Sequence, residues 1–235
     1  QCSVKLNGTL LQLQEPDFGT LGIAALNGSA RLNTDLQFPL SLSSFANQNE
    51  AIIEKSKDQQ LLASVNSMFQ IKPKGTAEAH FSIAWYFPNL KLDQAIQERG
   101  RYYANWFGSA FEVLDYVNRN FSSLSTESKL WKDTWFDSSL PWWFLERTFL
   151  NISTLATTTA HRFQSGRFYA WEGVGCCPGT CTHVWQYAQA VGRIFPGIER
   201  DTRERVDLGL SLQDDGMIWY RGEVVKTAAI DGQAG

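Results

Sequence analysis

The stretch TAEAHFSIAWYFPNL, residues 76–90, contains the point at which the chain changes its pattern. Over residues 77–87, apolar side chains recur at every second position, which is typical of a strand with one face buried. After Pro88, apolar side chains recur three and four positions apart, as in an amphipathic helix. This change of period predicts two domains, a strand-rich one over residues 1–90 and a helix-rich one over residues 91–235.

The strand-rich part contains several candidate strands. Residues 61–71 and 76–87 are predicted as a pair of strands, joined by a turn at residues 72–75 with the sequence Lys-Pro-Lys-Gly. Shorter strands are predicted at residues 21–26 and 35–40, separated by an Asn-Gly turn. We interpret this part as a piece of a β-sandwich that lacks its first strands.

The helix-rich part is predicted to contain five helices. Pro141 suits a first helical turn, and Trp142 and Trp143, at helical spacing, are interpreted as core residues. Antiparallel helices joined by loops suggest part of a helical toroid. The predicted helices are residues 93–118, 125–136, 141–152, 181–193 and 195–208.

Two further local patterns are structural rather than chemical. Glu199 with Arg203 and Asp201 with Arg205 have the i,i+4 spacing of ion pairs on an exposed helix face. Residues 214–216, Asp-Asp-Gly, predict a hairpin turn.

The composition of the 235 residues excludes several classes of function. A net charge of −3 with mixed signs gives no basic surface for nucleic acid, and the sequence lacks the run of eighteen apolar residues that a transmembrane helix needs. Nine Trp, seven Tyr and fifteen Phe fit either a large core or a site that stacks sugar rings. The stretch that begins at Gln1 is typical of neither an initiator sequence nor a signal peptide, and the stretch that ends at Gly235 is not typical of a C-terminal tail. We therefore expect a piece of a longer protein.

The stretch WEGVGCCPGTCTHVW, residues 171–185, gathers reactive side chains on a glycine-rich segment. Such segments present functional groups at the rim of a scaffold. Glu172 adjoins Trp171, and a carboxylate beside an aromatic wall is a group that sugar-cleaving enzymes use. The alternative is that Glu172 caps a helix or pairs with Arg167.

The cysteines of the same stretch raise a second possibility. Cys176, Cys177 and Cys181 with His183 could hold zinc, but the spacing departs from paired C-x-x-C knuckles and a second cluster is lacking in the sequence. We therefore predict no metal and interpret the cysteines as reduced, which favours a cytoplasmic location.

The segment WEGVGCCPGTCTHVWQYAQAVGRIFPGIER, residues 171–200, resembles the catalytic core of glycoside hydrolase family 116, the bile-acid β-glucosidase or non-lysosomal glucosylceramidase group. The resemblance is nearer to the microbial members and is strongest from Phe168 to Arg205. It implies a partial β-sandwich followed by the first part of an (α/α)6 barrel. It also implies hydrolysis of β-glycosides with retention, by two carboxylates and without a cofactor.

The resemblance also implies roles for individual residues. Glu172 would be the nucleophile, and the acid/base Asp of the family would lie beyond Gly235, so we expect this stretch alone to be inactive. Substrate-binding residues implied by the resemblance are Trp171, Thr182, His183 and Asp231.

The chain departs from the family pattern near two of these residues. The acidic member expected beside His183 is replaced by Thr182, and Ile230 stands before Asp231 where family members often have His. His183 could instead be an interior histidine, and Asp231 a turn aspartate.

The predicted function is that of a β-glucosidase, with β-xylosidase or glucosylceramidase-type activity as variants. The partner would be a small-molecule or lipid-linked β-glycoside. The alternative is an inactive carbohydrate-binding or scaffold relative of the same fold.

Overall fold

The computed structural model of the protein describes residues 15–16, 18–36, 40, 44–45, 47–50, 62–92, 97–148, 153–170 and 190–218. The chain divides into two compact units, residues 1–89 with 106–125, and residues 90–105 with 126–235. The described residues form three two-stranded sheets and four α-helices, which confirms the mixed β and α composition. A sandwich or a barrel is not seen among these residues, so both stay predictions, as does the domain boundary at residue 90.

Four strands of the first unit form two antiparallel pairs. Strand β1 (Thr20–Ala25) pairs with β4 (Phe81–Tyr86), and β2 (Ser29–Asn33) pairs with β3 (Ser64–Met68). The predicted turn at residues 72–75 is present, since its last N–H donates to its first carbonyl over 2.8 Å. The predicted pairing across it is wrong, because β3 pairs with β2 and β4 pairs with β1.

The turn between β1 and β2 is held by the side chain of Asn27. Its Oδ1 accepts from the N–H of His80 at 2.9 Å, and its Nδ2 donates to the carbonyl of Glu78 at 2.7 Å. Gly28 follows with φ of 76°, a conformation that favours glycine. The Asn-Gly turn is therefore confirmed, but the next strand begins at Ser29, so the strand predicted at residues 35–40 is wrong for its described part.

The apolar face predicted to be buried on β4 is the exposed one. Phe81, Ile83 and Trp85 are 49%, 62% and 60% exposed, whereas Ala84 and Tyr86 on the other face are 5% and 8% exposed. The period of two was correct, and the choice of buried face was wrong.

Helix α1 (Ala110–Phe136) packs against the buried face of β1, which carries Thr20, Gly22 and Ala24. A Cβ on Gly22 would lie 2.7 Å from the Cδ1 of Leu114. On the same face of β1, the Oγ1 of Thr20 accepts from the N–H of Ala110 at 2.8 Å. These small residues let the helix approach β1 closely, whereas Phe81, Ile83 and Trp85 of β4 lie on the opposite face.

Helix α1 replaces the first two predicted helices. It begins after Ser109, whose Oγ accepts from the N–H of Glu112 at 3.3 Å, while the Glu112 carboxylate accepts from the N–H of Gly108 at 2.8 Å. This arrangement is related to a capping box, so the Ser-x-x-Glu pattern marks the true start. The break predicted before Ser125 is wrong, because the Ser125 hydroxyl donates to the Ser122 carbonyl at 3.1 Å and the helix continues.

The second unit contains short helices around one hairpin. Helix α2 (Trp142–Thr148) starts directly after Pro141, and helix α4 (Pro196–Asp201) has a proline in its first turn, as predicted. The described part of the helix predicted at 181–193 is the short helix α3 (Ala190–Ile194). The elements are α2 (Trp142–Thr148), β5 (Ala160–Arg162), β6 (Phe168–Ala170), α3 (Ala190–Ile194), α4 (Pro196–Asp201) and a π-helical segment (Thr202–Leu210).

The two tryptophans of α2 are not core residues. Trp142 and Trp143 are 62% and 66% exposed, and the buried residue of this helix is Leu145. Trp142 meets the ring of Phe136 edge-on, with centroids 5.0 Å apart. Helical spacing alone could not tell which side of a seven-residue helix faces the interior.

The predicted hairpin turn and ion pairs are present. Gln213 and Met217 close the turn by an N–H to carbonyl bond of 2.8 Å, and Gly216 has φ of 88°. The helix-face pairs form at 2.9 Å for Glu199 with Arg203 and at 2.8 Å for Asp201 with Arg205.

We expect Gly22→Val to lower the free energy of unfolding by about 1–3 kcal/mol, because the added atoms would overlap Leu114 of α1. Urea denaturation measures the change. Ile83→Thr on the exposed face is the control, with an expected change within about 0.5 kcal/mol. Equal effects of the two substitutions would contradict the close packing of α1 on β1.

Candidate functional site

The residues predicted to bind and cleave the substrate lie outside the described part of the chain. The same holds for the cysteines of the zinc alternative, Cys176, Cys177 and Cys181. The predicted site residues concerned are Trp171, Glu172, Thr182, His183 and Asp231. Their roles therefore stay predictions, and what the structure describes is the frame on either side of residues 171–189.

Strand β6 leads directly into Trp171, and it is buried along its whole length. Phe168, Tyr169 and Ala170 are 6%, 2% and 6% exposed. The strand pairs antiparallel with β5, with Ala170 opposite Ala160. A strand this short is held mainly by what covers its two faces.

Each face of β6 is covered by its own apolar cluster. On one face Phe168 and Ala170 pack with Val191 of α3, together with Leu155, Ala160 and Ile198. On the other face Tyr169 packs with Leu90 and Phe163. The Phe163 and Tyr169 rings meet edge-on with centroids 5.9 Å apart. Side chains on alternate positions of β6 thus reach two different clusters.

The residues that flank the glycine-rich segment belong to the same cluster. Ala170 directly precedes residues 171–189, and Val191 follows them closely, yet both lie in the Phe168 cluster. Arg193 further ties α3 to α2, since its Nη1 donates to the carbonyl of Thr148 at 2.7 Å. The two ends of the segment at residues 171–189, which includes Glu172, are therefore attached to residues of the same apolar cluster.

The turn that joins β5 to β6 is tightly bonded. The N–H of Phe163 donates to the carbonyl of Arg167 and the N–H of Gly166 to that of Phe163, both at 2.8 Å. Gly166 has φ of 92°. The guanidinium of Arg162 lies 3.5 Å from the ring centroid of Tyr102, a cation–π contact. These contacts restrict how far the hairpin can shift.

A polar pair lies at the centre of this hairpin. His161, opposite Tyr169 in the sheet, is 9% exposed, and its Nδ1 lies 3.4 Å from the Nη1 of Arg101. Burial lowers the pKa of His161, and the positive charge of Arg101 lowers that pKa further, while a bond to the Thr158 backbone opposes both. His161 is therefore neutral at pH 7, with Nδ1 as the acceptor for Arg101.

The contact between Arg101 and His161 was not predicted from the sequence. Arg101 and His161 are sixty positions apart, and neither belongs to a recognisable motif. The one sequence signal that could have indicated the buried position of His161 is the alternation of faces along β5, which puts His161 on the opposite face from Ala160. Arg167 is also buried, and burial lowers the pKa of its guanidinium.

Among the described carboxyl groups, Asp207 stands out by its burial, which raises its pKa even though Arg203 acts in the opposite direction. The Arg203 guanidinium bonds both Asp207 and Glu199. Because this carboxylate is already engaged in an ion-pair ladder along one helix face, we interpret Asp207 as structural.

Residues 29–124 match the family model described as beta-glucosidase 2, glycosyl-hydrolase family 116 N-term. No curated protein and no solved structure matches the chain. The match covers less than half of the chain, and it confirms the resemblance to family 116 drawn from the sequence.

The matched stretch covers β2, β3 and β4 and the first half of α1. It ends before residues 168–205, where the sequence resemblance is strongest, so the match leaves Glu172 without an assigned role.

Of the helices that the structure describes, none combines the length and apolar character needed to cross a membrane.

We expect Phe168→Ala to lower the free energy of unfolding by about 3–5 kcal/mol, because it removes the largest side chain of the cluster that anchors residues 171–189. Urea denaturation followed by tryptophan fluorescence measures the loss. Phe195→Ala is the matched control, since Phe195 is 47% exposed and should cost much less. A similar loss in both variants would contradict the anchoring role of Phe168.

We expect the melting temperature to fall as the pH drops below about 6.5, the ordinary histidine pKa, with His161 as one cause. Its pKa is lowered in the folded state, so the unfolded chain binds the proton more readily. The stability due to neutral His161 is thus present above the ordinary pKa and lost as the pH falls through the lowered one. Thermal unfolding from pH 8 to pH 4 should show a shallower decline for His161→Asn, and parallel curves would contradict this assignment.

Proposed function

We propose that the protein is a retaining β-glycosidase that removes a terminal β-linked sugar through a covalent glycosyl-enzyme. The observation that carries the proposal is the match of residues 29–124 to the N-terminal domain of family 116, whose description names a beta-glucosidase. Family membership implies a glycoside substrate. β-Glucosidase activity is the first candidate, and β-xylosidase or glucosylceramidase-type activity are variants of it.

Glu172 is the proposed nucleophile. Two observations support this role, namely the resemblance of residues 171–200 to the catalytic core and the buried strand β6, which ends two positions before Glu172. A nucleophile must be held within a fraction of an ångström, and a strand covered on both faces is a rigid support. A retaining enzyme also needs an acid/base carboxyl group about 5–5.5 Å from the nucleophile. The acid/base residue that would act with Glu172 is expected beyond Gly235.

The proposed substrate contacts come from the same segment and from one later residue. Trp171 would stack on the sugar, while Thr182, His183 and Asp231 would bond its hydroxyls. The anchoring of Ala170 and Val191 in one cluster supports a common location for the first three of these residues.

The proposed architecture is a partial β-sandwich over residues 1–90 followed by the first part of an (α/α)6 barrel over residues 91–235. The apolar face formed by Phe81, Ile83 and Trp85 supports the sandwich, because a second sheet would cover such a face. The run of helices from α1 to α4 is consistent with the barrel.

We expect the full-length protein to gain one glycosyl group when it is incubated with an activated 2-deoxy-2-fluoro-β-glucoside, and peptide mapping should place the adduct on Glu172. Glu172→Gln should slow the labelling by at least about 10³-fold, because the attacking carboxylate is gone. Asp214→Asn, in the exposed turn, is the control and should label like the wild type. The measurement is intact-mass spectrometry over time.

Other outcomes separate the candidate functions. An adduct on another residue retains the enzyme class and contradicts the role of Glu172. If a folded protein reacts with neither the fluoroglucoside nor the corresponding xyloside but binds glucosides at equilibrium, the chain is a carbohydrate-binding relative instead.

A further inference from the structure

We draw no further inference here: the strongest candidate, the exposed aromatic patch of Phe136, Trp142 and Trp143 where helix α1 is followed by helix α2, carries nothing because nothing in the described part of the structure shows what covers it.

Discussion

The burial of β6 between two apolar clusters is the constraint on which the second unit depends. Phe168 and Ala170 reach the helices that follow the glycine-rich segment, while Tyr169 reaches the chain that precedes α1. Because Val191 lies in the cluster of Phe168, the two ends of residues 171–189 are anchored at one place. Residues 171–189 have three glycines and a proline near their start. This packing fixes the positions of the residues on either side of them, Ala170 and Val191.

A comparable constraint organises the first unit. Helix α1 lies so close to β1 that Gly22 has no room for a side chain, and Thr20 bonds the first N–H of the helix. The large side chains of Phe81, Ile83 and Trp85 lie on the opposite face of β4 and are exposed, whereas Tyr86 shares the face of Gly22 and is buried.

The charged groups of the second unit fall into two types. The ladder of Glu199, Arg203 and Asp207 follows helical spacing and is complete within one stretch of chain. The contact of Arg101 with His161 joins distant parts of the chain and contains no carboxylate. The first type stabilises a helix face, whereas the second ties Arg101 to strand β5.

The sequence alone indicated the resemblance to family 116, the period of each pattern and several local features. The resemblance to family 116, the strand period of β4, the helix start after Pro141 and the turn at residues 214–216 all depend on nearby residues, so they could be predicted. Which face of β4 is buried, which strands pair and how His161 meets Arg101 were decided by the tertiary structure. The physical reason is that periodicity records alternation along a chain, whereas the side that faces the interior depends on what a distant segment brings against it.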